Sequence, residues 1–247
     1  MLILPLSIQK NFEANGVVAL IAELSQGAEP IAPSLLENTL SPIECNRLKG
    51  FKDEVAAWRF AVGRVLLKEF ISQCFDIPTK SIFIRLEKSG KPRIEHPPGI
   101  GISVSHSGPY VAIVVTRIGE CGIDIEAVGE VPDHLPIHPQ FFSVQQDNWI
   151  SKGKGDMGPG RRFLRLWTRK EAYLKATGEG LSGLSSKIGF ETAERGPVRV
   201  IDERLSEGMP GKFFVYDLAN NSDYCLSVCL DRKPSHIESC SLTFGRI

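Results

Sequence analysis

The sequence predicts an α+β fold, and three observations support this prediction. Two long amphipathic helical segments are interleaved with short β-branched segments along the 247 residues. Short strand-to-strand links, such as residues 107–109, favour antiparallel pairs over a wholly parallel sheet. Each half of the chain holds one long helix with strands around it, which is a hint of two similar halves.

Two segments carry most of the helical signal. The first runs from 53 to 74, and its apolar residues recur at three- and four-residue spacing, which predicts one buried stripe. That stripe consists of Trp58, Ala61, Val62, Val65, Leu66 and Phe70. The second segment runs from 161 to 177 and ends at Gly178, a residue type that favours the C-terminal cap. Its narrower apolar stripe consists of Phe163, Leu166, Trp167 and Leu174.

Short segments rich in β-branched residues and bounded by Gly, Pro or Ser predict the strands. They are residues 82–86, 101–105, 110–116, 121–126, 213–217 and 224–230.

Composition and charge give no signal for a nucleic-acid-binding, membrane-spanning or disulfide-rich protein. The 29 basic residues balance the 29 acidic ones, so no global field draws the chain to nucleic acid or to an anionic membrane. The longest apolar stretches, 17–22 and 110–115, are far shorter than the roughly 20 residues that span a bilayer. The six cysteines include no Cys-x-x-Cys pair, which favours reduced thiols in a cytoplasmic protein, with Cys225 and Cys229 packed in the core.

Gly122-Ile123-Asp124-Ile125-Glu126 is the sharpest local motif. On a strand, Asp124 and Glu126 point to the same face, about 7 Å apart along the backbone, while the isoleucines point to the other. Two such carboxylates suit a hard cation such as Mg²⁺. An amphipathic strand with a solvated acidic face accounts for the pattern equally simply.

The predicted second helix is strongly basic. Residues 161–175 hold six basic residues and one acid, Glu171. Lys175 lies four residues after Glu171, so an ordinary salt bridge on one helical face is the simplest interpretation. A lone carboxylate in a cationic surface is also suited to a metal-bound pyrophosphate.

A third motif, Ser103-Val104-Ser105-His106-Ser107-Gly108, lies where a strand ends. Small hydroxyl residues around one histidine permit the close approach of an anion, although a lone His in a turn is commonly structural. A Ser-His-Asp hydrolase would need a Gly-x-Ser-x-Gly elbow, which the sequence lacks. His134 and His138 have a metal-ligand spacing, but the prolines around them predict a loop.

The motifs at 103–108 and 122–126 and the basic segment 163–175 occur together with Gly90-Lys91-Pro92 and Gly178-Glu179-Gly180-Leu181-Ser182. In order and spacing, these five motifs resemble those of the 4′-phosphopantetheinyl transferases, in the larger single-chain class. The resemblance implies two similar α+β halves related by pseudo-twofold symmetry, residues 1–118 and 119–247, with the active site in the cleft between them. It implies transfer of the phosphopantetheine arm of coenzyme A to a serine of an acyl, peptidyl or aryl carrier protein. It also implies a cytoplasmic monomer with Mg²⁺ as cofactor and with no nucleic-acid or membrane partner.

The resemblance also assigns roles to individual residues. The magnesium-binding acids are Asp124, Glu126 and Glu171. Glu171 is the candidate base, and Lys175 contacts the phosphates. Contacts to the nucleotide end of coenzyme A fall to Lys91, Ser105, His106, Arg59 and Arg47. Basic residues at 161, 162 and 165 are either a carrier-docking surface or a plain solvated helix face.

One position departs from the family pattern. Where the family usually places a glutamate, three residues after Ser143, this chain has Gln146, followed by Asp147. Substitution of the missing acid by Asp147, with a shift of one residue, is one interpretation, and an acidic role in this loop stays open.

Two alternatives to the transferase also remain. A magnesium-dependent hydrolase of nucleotide pyrophosphates would use the same acids and basic cluster, and an inactive interaction module would retain only the fold.

Overall fold

The computed structural model describes residues 4–25, 31–130, 139–153, 157–191, 196–205, 212–220 and 222–244. Within these ranges the helices are α1 (Leu6–Asn15), α2 (Pro33–Thr39), α3 (Pro42–Lys49), α4 (Glu54–Phe75), α5 (Val144–Lys152) and α6 (Pro159–Thr177). Short 3-10 helices cover Thr79–Ser81, Val128–Glu130 and Leu181–Gly183. The strands are β1 (Val17–Leu24), β2 (Phe83–Leu86), β3 (Pro92–His96), β4 (Gly101–Ser107), β5 (Tyr110–Thr116), β6 (Cys121–Ala127), β7 (Ile188–Phe190), β8 (Val198–Asp202), β9 (Phe214–Asn220), β10 (Tyr224–Leu230) and β11 (Glu238–Phe244).

The chain forms two compact units. Unit 1 comprises Met1–Glu87, Pro92–Gly119 and Pro234–Ile247, and unit 2 comprises Lys88–Lys91 and Glu120–Lys233. The predicted division of the chain between residues 118 and 119 stays a prediction. The last strand, β11, follows unit 2 in the sequence but belongs to unit 1. Because β11 pairs in parallel with β1, the end of the chain completes the sheet of unit 1.

Unit 1 is a four-stranded sheet in the order β11-β1-β5-β4, with one long helix packed on it. β1 pairs antiparallel with β5, and β5 pairs antiparallel with β4 through the predicted tight link. Helix α4 begins after Asp53, whose carboxylate accepts a hydrogen bond from Ala56 N at 2.9 Å and so caps the first turn. All six residues of the predicted α4 stripe are buried, which confirms that stripe.

Unit 2 is a five-stranded antiparallel sheet in the order β6-β10-β9-β8-β7, again with one long helix on it. Helix α6 ends at Gly178, which adopts the left-handed conformation (φ 79°) that the predicted cap requires. Ring stacking along α6, with the centroids of Phe163 and Trp167 5.8 Å apart, forms part of a second apolar cluster with Phe142 and Ile150.

The α+β prediction is confirmed, because each unit pairs one long helix with a largely antiparallel sheet. Cys225 and Cys229 are buried on β10, as predicted, and all six cysteines are free thiols. No described helix is both long enough and apolar enough to cross a membrane.

Candidate active site

The two predicted strand acids lie on β6, in the face that α6 covers. Asp124 is 2% exposed, whereas Glu126 at the next position on that face is more open to solvent. Ile123 and Ile125 on the opposite face are fully buried. The strand is therefore covered on both faces, and the alternative of a solvated acidic face does not apply to Asp124.

Helix α6 places the third predicted acid and the predicted lysine beside Asp124. Lys175 Nζ lies 2.6 Å from Asp124 Oδ1 and 3.7 Å from Glu171 Oε2. Burial raises the pKa of Glu171 to about 7, and the nearby charge of Asp124 adds to this rise. Burial alone would lower the pKa of Lys175, but Asp124 and Glu171 outweigh that effect and raise it. Lys175 therefore carries the positive charge of this acidic cluster.

The donor chemistry of Asp124, Glu126 and Glu171 fits a hard divalent cation. Their carboxylates are close enough for the charges of Asp124 and Glu126 both to raise the pKa of Glu171, and a cation would relieve this repulsion. Among the described residues, however, no group of three or more His, Cys, Asp or Glu side chains is already arranged to hold a metal ion. The magnesium assignment of these three acids stays a prediction.

Gly122 lets α6 approach β6 at backbone distance. A Cβ atom at this position would clash with Ala172 O and would lie 2.5 Å from Ala176 N. A glycine inside a strand commonly marks such a close approach. Gly122 thus brings the turn of α6 that bears Glu171 and Lys175 against the strand that bears Asp124.

Lys91 lies at the C-terminal end of α6 rather than on an open surface. Its Nζ contacts Glu120 Oε2 at 2.5 Å and donates a hydrogen bond to Ala176 O, and its side chain is 5% exposed. A lysine at the carbonyl end of a helix compensates the helix dipole. The predicted contact between Lys91 and the nucleotide stays a prediction.

Sequence reasoning missed a role for Lys170, which is fully buried. Its Nζ donates to the carbonyl oxygens of Phe141 at 2.9 Å, Ser185 at 2.9 Å and Ile188 at 2.7 Å. Burial lowers its pKa to about 7, with a further contribution from the charge of Arg204. Lys170 therefore connects α6 to the segment before α5 and to the start of β7. The one available signal was its position next to Glu171 in the family-like motif.

The structure explains the unusual Gln146. Its Oε1 accepts from Ser143 N at 3.2 Å, and Ser143 Oγ accepts from Gln146 N, which together form a capping box at the start of α5. Its Nε2 also donates to Ile188 O at 2.9 Å. A carboxylate could not make this last bond. Asp147 accepts a hydrogen bond from Ser151 Oγ at the surface, and substitution of Asp147 for the family acid stays a prediction.

In unit 1, Arg59 lies at the turn that follows His106. Its guanidinium donates to Gly108 O through Nε at 3.1 Å and through Nη2 at 2.5 Å. His106 is exposed, and it shares a strand face with Val104, which packs near Gly63 of α4. Ser105 points to the opposite face and is buried. The structure thus brings Arg59 and the His106 turn together, while the predicted nucleotide contacts of all three residues stay predictions.

Arg47 lies on α3 and is exposed, with its guanidinium 5.0 Å from the centroid of the Phe60 ring. Arg64 contacts the same ring at 5.3 Å. The predicted contact between Arg47 and the nucleotide stays a prediction. His134 and His138 lie outside the described residues.

Two of the three arginines considered for carrier docking are engaged inside unit 2. Arg162 is 5% exposed and donates to Ile150 O at 2.8 Å and to Met157 O. Arg165 Nε lies 2.7 Å from Asp217 Oδ2. Arg162 is therefore not part of a solvated face, whereas the Arg165 side chain is 30% exposed and its role in carrier docking stays a prediction.

Comparison with known families identifies the class of protein to which this fold and these motifs belong. Residues 120–229 match the 4′-phosphopantetheinyl transferase superfamily, and residues 32–117 match the 4′-phosphopantetheinyl transferase N-terminal family. The first match contains β6 and α6, and the second contains α4 and the His106 turn.

Individual relatives carry the same name. The chain is 31% identical to the 4′-phosphopantetheinyl transferase ffp of Bacillus subtilis over 190 residues, which is 76% of this chain and 80% of that protein. It is 28% identical to the 4′-phosphopantetheinyl transferase gsp of Aneurinibacillus migulanus over 62% of this chain, and 34% identical to psf-1 of Bacillus pumilus over 55%. The chain spans 66% of the gsp protein and 57% of psf-1.

The protein belongs to the 4′-phosphopantetheinyl transferase family, in the larger class that includes the relatives from Bacillus and Aneurinibacillus. The family prediction is confirmed, and with it the prediction of a transferase fold built from two α+β parts. The predicted cleft and the individual residue roles stay predictions.

Proposed function

We propose that this protein transfers the phosphopantetheine arm of coenzyme A to a serine of an acyl, peptidyl or aryl carrier protein. One observation carries the proposal within the family: Lys175, Asp124 and Glu171 form a charge-coupled cluster where α6 meets β6. Nothing in the described residues favours the hydrolase or the inactive module.

In the proposed reaction, the serine oxygen attacks the β-phosphorus of coenzyme A. A new serine O–P bond forms, the P–O bond to the α-phosphate breaks, and adenosine 3′,5′-bisphosphate leaves with the bonding electrons. Catalysis of such a step depends mainly on alignment and charge neutralisation. A magnesium ion held by Asp124, Glu126 and Glu171 would supply positive charge to the pyrophosphate oxygens.

Protein side chains supply the remaining chemistry. Glu171 accepts the proton of the serine hydroxyl as general base. Lys175, at 28% exposure, donates to the phosphate oxygens that gain charge as the bond breaks. Its contact with Asp124 raises the pKa of Lys175, which keeps the ammonium charged, and holds the ammonium beside Asp124 and Glu171.

Contacts to the nucleotide end of coenzyme A are proposed for the basic and hydroxyl residues named from the family motifs: Arg47, Arg59, Lys91, Ser105 and His106. The contacts of Arg59 at the His106 turn support a shared anion site for these two residues. A cytoplasmic monomer is part of the same proposal, and the six free thiols are consistent with a reducing compartment.

Intact-protein mass spectrometry tests the proposal. Several purified apo-carrier proteins are incubated with this protein, coenzyme A and Mg²⁺, and a mass gain of one phosphopantetheine on a carrier is expected. A carrier in which the acceptor serine is replaced by alanine should gain nothing. Release of adenosine 3′,5′-bisphosphate without any carrier would instead support the hydrolase, and no turnover with any carrier would count against the transferase.

A further inference from the structure

Asp217 on β9 holds helix α6 through two arginines on consecutive turns. Its Oδ2 accepts from Arg165 Nε at 2.7 Å and from Arg169 Nη2 at 2.6 Å, and its Oδ1 accepts from Arg169 Nε at 3.0 Å. The Asp217 side chain is 17% exposed and that of Arg169 is 12% exposed, so the contact is largely shielded from water. Charge-assisted bonds of this kind fix geometry as well as adding stability.

Asp217 also belongs to a polar row that crosses the sheet to the acidic cluster. Ser227 on β10 lies directly opposite Asp217 on one side and Asp124 on the other, so all three side chains share the face under α6. Ser227 Oγ donates to Asp217 Oδ1 at 3.2 Å and lies 2.9 Å from Thr168 Oγ1.

Helix α6 presents a stripe of polar side chains to this row on the sheet. Thr168, Glu171 and Lys175 are spaced i, i+3 and i+7, so they lie along one face of α6. Thr168 contacts Ser227, and Lys175 contacts Asp124 at the other end of the stripe. The helix is thus held to the sheet at both ends of the segment that carries Glu171.

We infer that Asp217 is a positioning residue for the proposed transfer: through Arg165 and Arg169 it fixes the rotation and axial position of α6, and so sets Glu171 and Lys175 against Asp124. The inference rests on the proposed function. A carboxylate held between two turns resists both sliding and turning of the helix, which apolar contacts alone resist less specifically. A shift of about 1 Å in a reacting group costs on the order of a hundredfold in rate.

Unit 1 provides a matched control for this arrangement. Glu44 on α3 forms ion pairs with two cations one turn apart on α4: its Oε1 lies 3.1 Å from Arg64 Nε and its Oε2 lies 2.6 Å from Lys68 Nζ. Helix α4 carries none of the acids of the cluster. Loss of the Glu44 ion pairs should lower the stability of the folded protein without changing the rate of phosphopantetheine transfer.

The experiment compares Asp217→Asn with Glu44→Gln in steady-state transfer to one apo-carrier at saturating coenzyme A. We expect Asp217→Asn to lower kcat on the order of 10- to 100-fold, with the KM for coenzyme A within about twofold of the wild-type value. Glu44→Gln should lower the melting temperature but leave kcat within about twofold. Far-UV circular dichroism verifies that both variants are folded.

A double-mutant cycle separates positioning from general stability. If Asp217 acts through the placement of Lys175, the effect of Asp217→Asn on kcat should largely disappear in the Lys175→Gln background. Ser227→Ala and Arg165→Gln, which remove single contacts of the row, replace Asp217→Asn if that variant does not fold, and each should lower kcat.

Three results would overturn the inference while leaving the proposed function intact: unchanged kcat in the Asp217 variant or its replacements, an equal kcat loss in Glu44→Gln, or full additivity in the cycle. Wild-type protein that modifies no carrier would instead overturn the proposed function, and the inference with it.

Discussion

Lys175 Nζ lies 2.6 Å from Asp124 Oδ1, and this contact joins the last turns of α6 to the middle of β6. The lysine is 28% exposed whereas the aspartate is buried, so the pair presents its cationic partner to solvent. An anion that reaches this surface meets the ammonium first. The pair therefore links the packing of α6 to the proposed handling of phosphate.

Replacing Asp124 by Asn should reduce phosphopantetheine transfer by on the order of a hundredfold or more, because it removes one predicted cation ligand and the partner of Lys175. The measurement is turnover of an apo-carrier with saturating coenzyme A and Mg²⁺. Glu203→Gln, at an exposed position of unit 2, is the control, and its rate should be unchanged. Near-native turnover in folded Asp124→Asn would exclude the assigned role of Asp124.

Replacing Gly122 by Ala should destabilise unit 2 by about 3 kcal/mol or more, because the added methyl group meets the backbone of α6 at Ala172 and Ala176. Urea unfolding measures the change in the free energy of unfolding. Gly129→Ala is the matched control, since a Cβ there has nothing within 4 Å. Equal stabilities of the two variants would mean that α6 and β6 are not in backbone contact.

Replacing Glu44 by Gln should destabilise unit 1 by about 3 kcal/mol, because Lys68, at 1% exposure, would keep a buried charge without a carboxylate. Glutamine preserves the capping box with Ser41, so the change isolates the charge. The free energy of unfolding is again the measurement. Glu87→Gln, which removes a more exposed pair with Arg93, should cost less than about 1 kcal/mol, and a larger loss there than at Glu44 would contradict the argument.

Asp202 should make stability depend on acidic pH. Burial alone would raise its pKa, but hydrogen bonds from Arg204 and Tyr173 hold the pKa below its usual range. Because the folded pKa lies below the unfolded value of about 4, the stabilisation is complete above about pH 4 and is lost as the pH falls through the folded pKa.

The Asp202→Asn variant measures this contribution. Its deficit in the free energy of unfolding should be about 2 kcal/mol at neutral pH and should shrink as the pH falls below about 4. Urea titrations at a series of pH values give the comparison. A deficit that stays constant from pH 7 to pH 3 would show that the charge of Asp202 does not contribute.

Two thiols should react slowly in the folded protein. Burial raises the pKa of Cys74 and of Cys225 to about 11. Relative to an unfolded thiol with a pKa of about 8.5, the thiolate population at pH 8 is lower by on the order of a hundredfold. Alkylation followed by peptide mass spectrometry should find both sites protected until urea is added, and rapid labelling in native buffer would contradict the prediction.

Local patterns in the sequence predicted much of the fold. The apolar stripe of α4, the span of α6 with its cap at Gly178, and the strands β5 and β10 follow from spacing and residue type, and the structure confirms them. They are predictable because a helix or a strand that buries one face must repeat apolar residues with its own period. Strand β1 appeared only as an apolar stretch, and its partner β11 was missed, since their pairing joins the two ends of the chain.

The candidate site divides in the same way. The sequence alone predicted which residues carry the chemistry, from motifs that contain Asp124, Glu171 and Lys175, and the roles of these residues stay predictions. Only the tertiary structure decided that Lys175 contacts Asp124. It also decided that Asp217 holds α6 through Arg165 and Arg169. Likewise, it showed that Lys91 and Lys170 are buried and donate to carbonyl groups. Such contacts join residues 15 to 85 positions apart. No local period of helix or strand encodes which of these residues will meet once the helix packs on the sheet.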